Sequence, residues 1–172
     1  VALNYHESLT ALLKDEGGND DDPADHGGRT SRGITQREYT AWRESHGQDT
    51  ADVWAATNAE IDAIYRAQYW NPWCDSLPIG VDYLFFDMAV NAGPHRAVIL
   101  LQRALGVRDD GHIGLITLSA IEKADPIALI EKFTEAKRAF YRSLHQVRFL
   151  KGWLNRCDHV QSVATKMVLP LN

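Results

Sequence analysis

Cysteine is scarce in this sequence, which contains only Cys74 and Cys157 among its 172 residues. The two lie far apart and beside apolar residues, without the close spacing of metal ligands, so buried free thiols are favoured over a disulfide. The seven histidines show no clustered spacing either, which disfavours a zinc amidase. No Gly-x-Ser-x-Gly or Cys/His pairing indicates a nucleophilic peptidase. Because neither the cysteines nor the histidines have the spacing of metal ligands, we predict no metal, and we also predict no cofactor.

Positive charge is also in short supply. The sequence has 18 Lys and Arg against 23 Asp and Glu, a net charge of −5, which argues against a dedicated nucleic-acid binder. No apolar run approaches the roughly 18 residues of a membrane span, and the first residues lack the pattern of an export signal. We therefore predict no nucleic-acid partner, no membrane-spanning segment and synthesis without an export signal.

Helical periodicity is what the sequence has in quantity. Its apolar fraction of 45% and charged fraction of 24% are those of a folded globular protein. Apolar spacing and capping residues predict helices over residues 3–16, 35–45, 58–69, 81–90, 94–105, 117–124, 125–144 and 154–168. Thr35 and Glu38 have the spacing of a capping box, Thr117 is the expected cap of the helix that follows it, and Asp125-Pro126 is the expected start of the longest helix. The expected fold is mainly α, a single domain with an irregular loop or short β-hairpin near residues 19–34 and a buried central helix near 81–91.

Glu16 occupies an unusual position for a carboxylate. At 100° per residue it lies within about 20° of Tyr5 on the helical wheel, so it shares the apolar stripe of Leu9 and Leu12. Burial and the negative end of the helix dipole both raise the pKa of a carboxyl group. A carboxyl that keeps its proton near neutral pH suits general acid catalysis of glycoside cleavage. The alternative is a helix-end Glu that turns toward solvent.

A second acid, Asp25, follows nine residues later beside Gly27 and Gly28, where the backbone can approach a ligand closely. An ionised loop carboxylate would complement a protonated Glu16 by orienting water or stabilising positive charge. Thr30 offers a hydroxyl that can hold a water molecule. The alternatives are an Asx turn at Asp25 and a Thr30 that only satisfies loop backbone.

Three further features have both a structural and a functional interpretation. Tyr69 and Trp70, beside Trp73, form an aromatic cluster that fits either a sugar-stacking wall or packing between helices. Asp87, on the apolar central helix, must find buried partners, either as a structural hydrogen bond or in support of a site. Asn91, at the end of that helix, either faces a cleft or caps the helix.

Several of these segments together resemble a known family. The stretches Glu16-Gly17-Gly18 and Asp22-Pro23-Ala24-Asp25-x-Gly27-Gly28-x-Thr30-x-x-Gly33-Ile34-Thr35 are similar to the signature of the glycoside hydrolase 108 muramidases. Residues 65–70, 86–93 and 101–117 are similar to the Tyr-Trp helix end, the central helix and the predicted peptidoglycan-binding part of that family. The resemblance covers about residues 5–165.

The resemblance implies a lysozyme-like enzyme, of the kind found as phage endolysins and secreted bacterial muramidases. Its substrate would be the glycan strand of peptidoglycan, cleaved at the β-1,4 bond between N-acetylmuramic acid and N-acetylglucosamine. Glu16 matches the catalytic acid of the family, and Asp25 and Thr30 would assist by analogy with related phage muramidases. Tyr69, Trp70 and Asn91 are the candidate substrate contacts.

The resemblance also suggests an organisation and a setting. Residues 1–71 would carry the catalytic motif and residues 72–172 the peptidoglycan-binding helices, packed in one monomeric unit. Such a lysin would be made in the bacterial cytoplasm and act on the cell wall in the periplasm. Two alternatives are a lytic transglycosylase, which releases 1,6-anhydro products, and a peptidoglycan-binding module without activity.

Overall fold

A computed structural model describes residues 4–15, 19–20, 29–71 and 73–169, and helices dominate these residues. The described α-helices are α1 (Tyr5–Asp15), α2 (Gln36–Ser45), α3 (Asn58–Tyr65), α4 (Val81–Ala92), α5 (Pro94–Leu105), α6 (Leu115–Lys123), α7 (Pro126–Ser143) and α8 (Val147–Val168). Strands β1 (Asn19–Asp20), β2 (Thr30–Ser31) and β3 (Ile34–Thr35) form an antiparallel sheet in that order. The predicted mainly α fold with a short hairpin near residues 19–34 is confirmed.

The chain divides into two compact units. One unit is Tyr5–Asn71, and the other is Pro72–Asn172 together with Val1–Asn4. The first contains α1 to α3 and the sheet, and the second contains α4 to α8. The packing of both into one domain stays a prediction. Among the described helices, none has the length and apolar character that crossing a bilayer requires.

Side-chain caps determine where several helices begin. The hydroxyl of Thr35 accepts a hydrogen bond from the backbone N–H of Glu38 at 3.2 Å, and the Glu38 carboxylate accepts from the N–H of Thr35 at 2.9 Å. This reciprocal capping box opens α2, as the sequence predicts. Helix α7 starts at the predicted Asp125-Pro126 pair, where Asp125 accepts a hydrogen bond from the backbone N–H of Ala128 and proline occupies the first helical position.

Two predicted helix beginnings are wrong. Helix α6 begins at Leu115 rather than after a Thr117 cap; Thr117 lies inside the helix, 4% exposed. Its hydroxyl accepts a hydrogen bond from the side chain of Gln102 in α5 at 3.2 Å. The hydroxyl that was expected to cap the helix therefore bonds to another helix instead. Helix α8 begins at Val147, seven residues before the predicted start. Its first turns carry Gly152 and exposed apolar residues, which interrupt the amphipathic pattern.

Helix α4 forms the centre of the second unit. Every residue from Val81 to Ala89 is buried, and α4 packs against α5, α7 and α8. Gly80 precedes the helix with φ of +85°, and a Cβ there would lie 2.5 Å from the carbonyl oxygen of Ala164 in α8. A glycine is therefore required both by the backbone conformation and by the close approach of α8.

The buried carboxylate of Asp87 binds one cation from each of two helices. Its Oδ2 lies 2.6 Å from Nζ of Lys137 in α7, and its Oδ1 accepts from Nε of Arg156 in α8 at 2.8 Å. Asp87 and Lys137 are each 1% exposed. Burial by itself would raise the pKa of Asp87, but the two cations lower it below its ordinary value. These contacts match the structural interpretation of Asp87.

Both cysteines are free and buried, as the sequence predicts. Burial raises the pKa of the Cys74 thiol well above its ordinary value and also raises that of Cys157. Because the thiolate is the reactive form, neither side chain is suited to nucleophilic chemistry near neutral pH.

Replacing Lys137 by Met should destabilise the fold by about 3 kcal/mol, because it removes one of two cations from a buried carboxylate. The measurement is the free energy of unfolding in denaturant. Lys132→Met, at an exposed position of the same helix, is the matched control and should have little effect. The double variant Asp87→Leu/Lys137→Met should recover most of the loss. Equal stability of the Lys137 and Lys132 variants would contradict this account.

Asp82 is a second buried acid in α4, 4% exposed. Its Oδ1 accepts hydrogen bonds from the backbone N–H groups of Gly80 at 2.8 Å and Tyr83 at 2.7 Å, and from Nδ2 of Asn4 at 2.9 Å. Burial outweighs these donors and raises the pKa of Asp82 from 3.8 to about 6. The folded state therefore favours the neutral acid.

The stability that Asp82 contributes should be present in acid and lost as the pH rises from 3.8 to about 6, since the folded state holds the proton more tightly than the unfolded chain. Asp82→Asn imitates the neutral acid at every pH. The free energy of unfolding of this variant, relative to that of the wild type, should therefore rise by up to about 3 kcal/mol across this window. Thermal melts across pH measure the difference. Glu122→Gln, an exposed position, is the control, and a pH-independent difference for the Asp82 variant would refute the prediction.

Candidate active site

The described end of the glycine-rich segment is a tight β-turn. Arg32 and Gly33 connect β2 to β3 with φ of +50° and +79°, the two positive values of a type I′ turn. Positive φ is unusual for arginine, and its backbone and side chain are both held. The carbonyl of Arg32 accepts from the hydroxyl of Tyr65 at 2.7 Å, and its guanidinium donates to the carbonyl of Ala56 at 2.6 Å.

Thr30 is the one predicted catalytic residue that the structure describes. It lies in β2, opposite Asp20 of β1 and Thr35 of β3, and its side chain is partly buried. Its carbonyl accepts a hydrogen bond from the indole N–H of Trp54 at 3.0 Å. Glu16 and Asp25 lie outside the described residues. The catalytic roles of all three stay predictions.

Glu38 connects the beginning of α2 to Tyr69. The Tyr69 hydroxyl donates to Oε1 of Glu38 at 2.7 Å, while Oε2 accepts from both the backbone and the hydroxyl of Thr35. Burial and the neighbouring carboxylate raise the pKa of Tyr69, so the phenol stays a donor. Tyr69 is partly buried, and its predicted contact with a sugar stays a prediction.

A π-helical turn, Arg66–Trp70, follows α3 and turns Trp70 into the unit. Trp70 is 1% exposed and meets the ring of Tyr5 edge to face, with centroids 5.1 Å apart. This geometry favours packing between helices. The sugar contact predicted for Trp70 stays a prediction.

Asn91 belongs to the other compact unit, at the end of α4. It is exposed, and its Nδ2 donates to the carbonyl of Asp87 at 2.8 Å. The side chain thus bonds within its own helix, and its contact with substrate stays a prediction. Among the described residues, no group of three or more His, Cys, Asp or Glu side chains is arranged to hold a metal ion.

Trp54 is a candidate binding residue that the sequence reasoning missed. It is 40% exposed, although its indole N–H is bonded to the Thr30 carbonyl. The guanidinium of Arg29 lies 4.3 Å from the ring centroid, and Arg29 pairs with Asp52 at 2.5 Å. An exposed, firmly oriented indole beside the glycine-rich segment is suited to a ligand with apolar faces, such as a sugar. The available sequence signal is a tryptophan between two predicted helices.

A shallow groove lies in the second unit between α5 and α7. Its volume is about 820 Å³. Its charged lining has both signs, with Arg103 and Lys132 facing the same space as Glu131 and Glu135.

The comparisons with known proteins identify the class. The family model described as Glycosyl hydrolase 108 matches residues 9–93, and the one described as Predicted Peptidoglycan domain matches residues 96–158. The chain belongs to the glycosyl hydrolase 108 family, and it is a glycoside hydrolase that acts on peptidoglycan. Its structure is similar to that of SagA from Brucella abortus, with 36% identity over 97% of each chain and a TM-score of 0.85. No curated protein matches the sequence.

Replacing Trp54 by Ala should raise the KM for peptidoglycan by roughly tenfold and change kcat less, if the indole contributes ground-state binding. Trp54→Phe keeps an aromatic face but loses the bond to Thr30, so its KM should fall between the two. Steady-state release of reducing sugar measures both constants. Thermal melts control for folding. A fall in kcat at unchanged KM would contradict a binding role for Trp54.

Proposed function

We propose that this chain hydrolyses the β-1,4 bond between N-acetylmuramic acid and N-acetylglucosamine, with Glu16 protonating the leaving oxygen. The observation that carries the proposal is the register of β1 and β2, in which Asn19 lies opposite Ser31. Asn19 follows Glu16 by three residues, a stretch of chain that spans at most about 11 Å. The register therefore supports a common site for the Glu-Gly-Gly motif and the glycine-rich segment.

The described face of α1 supports the role of Glu16 as an acid. Tyr5, Leu9 and Leu12 form its buried stripe, with exposures of 0%, 7% and 0%. Glu16 follows Leu12 by four residues, the spacing of one helical turn. A carboxyl group at the end of such a stripe is expected to be desolvated and to hold its proton, as a general acid must.

Asp25 and Thr30 take the second role in the proposal. Asp25 lies in the segment that connects Asp20 to Thr30, whose backbones are paired. An ionised Asp25 would orient the attacking water or stabilise the oxocarbenium-like centre, and the Thr30 hydroxyl would hold that water. The bond from the Trp54 indole to the Thr30 carbonyl supports a defined position for this strand.

The proposal extends to the setting that the family implies. The enzyme would be a monomeric, phage-type endolysin, made in the bacterial cytoplasm and acting on the glycan strand of the cell wall. Tyr69 and Asn91 remain candidate contacts to that strand, together with Trp54.

Glu16→Gln should lower the rate of peptidoglycan hydrolysis by roughly 10²–10⁴-fold, because glutamine cannot donate the proton that the leaving oxygen needs. Clearing of purified, lipid-free cell walls measures the rate. The thermal melt should stay close to that of the wild type. Glu7→Gln, at an exposed position of α1, is the matched control and should keep full activity.

Mass spectrometry of the released fragments tests the reaction type. Hydrolysis leaves reducing ends, whereas an intramolecular attack by the sugar's own 6-hydroxyl leaves 1,6-anhydro ends. Anhydro products that disappear with Glu16→Gln would keep the acid but overturn hydrolysis. Wild-type clearing by the Glu16 variant would overturn the whole assignment.

A further inference from the structure

Cations are concentrated in one segment of this acidic chain. Residues 136–157 contain six of the 18 Lys and Arg residues and none of the 23 Asp and Glu residues. The segment comprises the end of α7, the connection at residues 144–146 and the first half of α8. We call the central part of it, residues 140–153, the α7–α8 junction.

Internal ion pairs account for only half of these cations. Lys137 and Arg156 bind Asp87, and Arg138 pairs with Glu135 and Asp158. The remaining three are Arg142, Arg148 and Lys151, all of them in the α7–α8 junction and all exposed. Within the part of the chain that the structure describes, none of these three forms an ion pair.

Helix stability does not explain the two cations in α8. Arg148 and Lys151 lie in its first turns, where the helix dipole is positive and disfavours cations. The first turn contains no acidic residue, and no side chain caps it. The guanidinium of Arg148 lies 5.3 Å from the ring centroid of Phe149, a contact at the surface that leaves its charge open to a ligand. Neither the helix dipole nor a cap accounts for the two cations, so we look for their role in an interaction outside the fold.

Exposed apolar side chains accompany these three cations, which have no acidic partner among the described residues. Val147 is 86% exposed, Phe149 48% and Leu144 39%. Phe149 lies 5.8 Å from Trp153 between ring centroids, and Trp153 stacks on Tyr141 at 5.2 Å. The aromatic rings thus form a continuous row from the core to the surface, which gives the exposed ring a rigid base.

We propose that the α7–α8 junction docks on the surface of an anionic phospholipid bilayer, an interaction beyond the proposed glycan cleavage. Arg142, Arg148 and Lys151 would contact lipid phosphates, while Val147 and Phe149 enter the boundary between headgroups and acyl chains. Basic and apolar side chains together are what such a boundary accommodates. A wholly polar wall polymer or a nucleic acid would neutralise the cations but leave the aliphatic side chains exposed to water.

Co-sedimentation of the full chain with vesicles tests the proposal. Vesicles of equimolar phosphatidylcholine and phosphatidylglycerol should retain the protein, whereas phosphatidylcholine vesicles should not. Added salt should weaken the binding, because it screens the attraction. Equal binding to both vesicles, or no binding to either, overturns the proposal without bearing on cleavage, since the assay contains no glycan.

Variants separate the charged from the apolar contribution. Arg148→Glu/Lys151→Glu should weaken binding by at least about tenfold, whereas Lys132→Glu/Lys166→Glu, exposed positions elsewhere in α7 and α8, should weaken it much less. Thermal melts confirm that each variant is folded.

The apolar pair has its own matched control. Val147→Ser/Phe149→Ser should weaken binding to the mixed vesicles by roughly tenfold. Leu115→Ser, which removes an apolar side chain that is also 86% exposed, should not. Loss with the charge variant alone, or binding of the full chain to soluble polyphosphate that the charge variant abolishes, would assign the junction to an anionic polymer and overturn bilayer docking.

Discussion

The ion pair between Asp87 and Lys137 is the interaction on which the packing of the helical unit depends. Helix α4 is apolar on nearly all sides, so burial of apolar surface alone would not determine how the neighbouring helices are rotated about their axes. A carboxylate 1% exposed in that helix removes this freedom, because an unpaired buried charge is far too costly. Its two oxygens bind Lys137 and Arg156 at 2.6 Å and 2.8 Å. These contacts fix both α7 and α8 relative to α4.

A single carboxylate has a comparable part in the other unit. Glu38 uses one oxygen to cap α2 through Thr35 and the other to accept from Tyr69. Thr35 is also the β3 partner of Thr30. The position of the strand that carries Thr30 therefore depends on a helix cap, and the π-helical turn is tied to the same group. Local capping and the geometry of the candidate site are coupled through Glu38.

Sequence signals predicted the features that depend on neighbouring residues. The capping box of Thr35 and Glu38 and the start of α7 at Asp125-Pro126 could be predicted, because the residues that define them lie within three positions of one another. The start of α8 could not be predicted, because the exposed apolar residues and cations of its first turns do not pack against a core and so give no helical periodicity. The orientation of the Trp54 indole and the partners of Asp87 depend on residues 24 to 69 positions away in the sequence. Hydrophobic periodicity describes one helix at a time and does not identify such distant partners.

The distribution of charge bears on how an acidic enzyme approaches an anionic envelope. A net charge of −5 gives long-range repulsion, but screening reduces it beyond about 10 Å at moderate salt. Within that distance the local charge determines whether a surface is attracted or repelled. The α7–α8 junction presents cations with no acidic residue between them. An acidic surface elsewhere would then help to orient the molecule, because repulsion turns its acidic parts away. Segregation of charge, rather than its sum, therefore determines which surface makes contact.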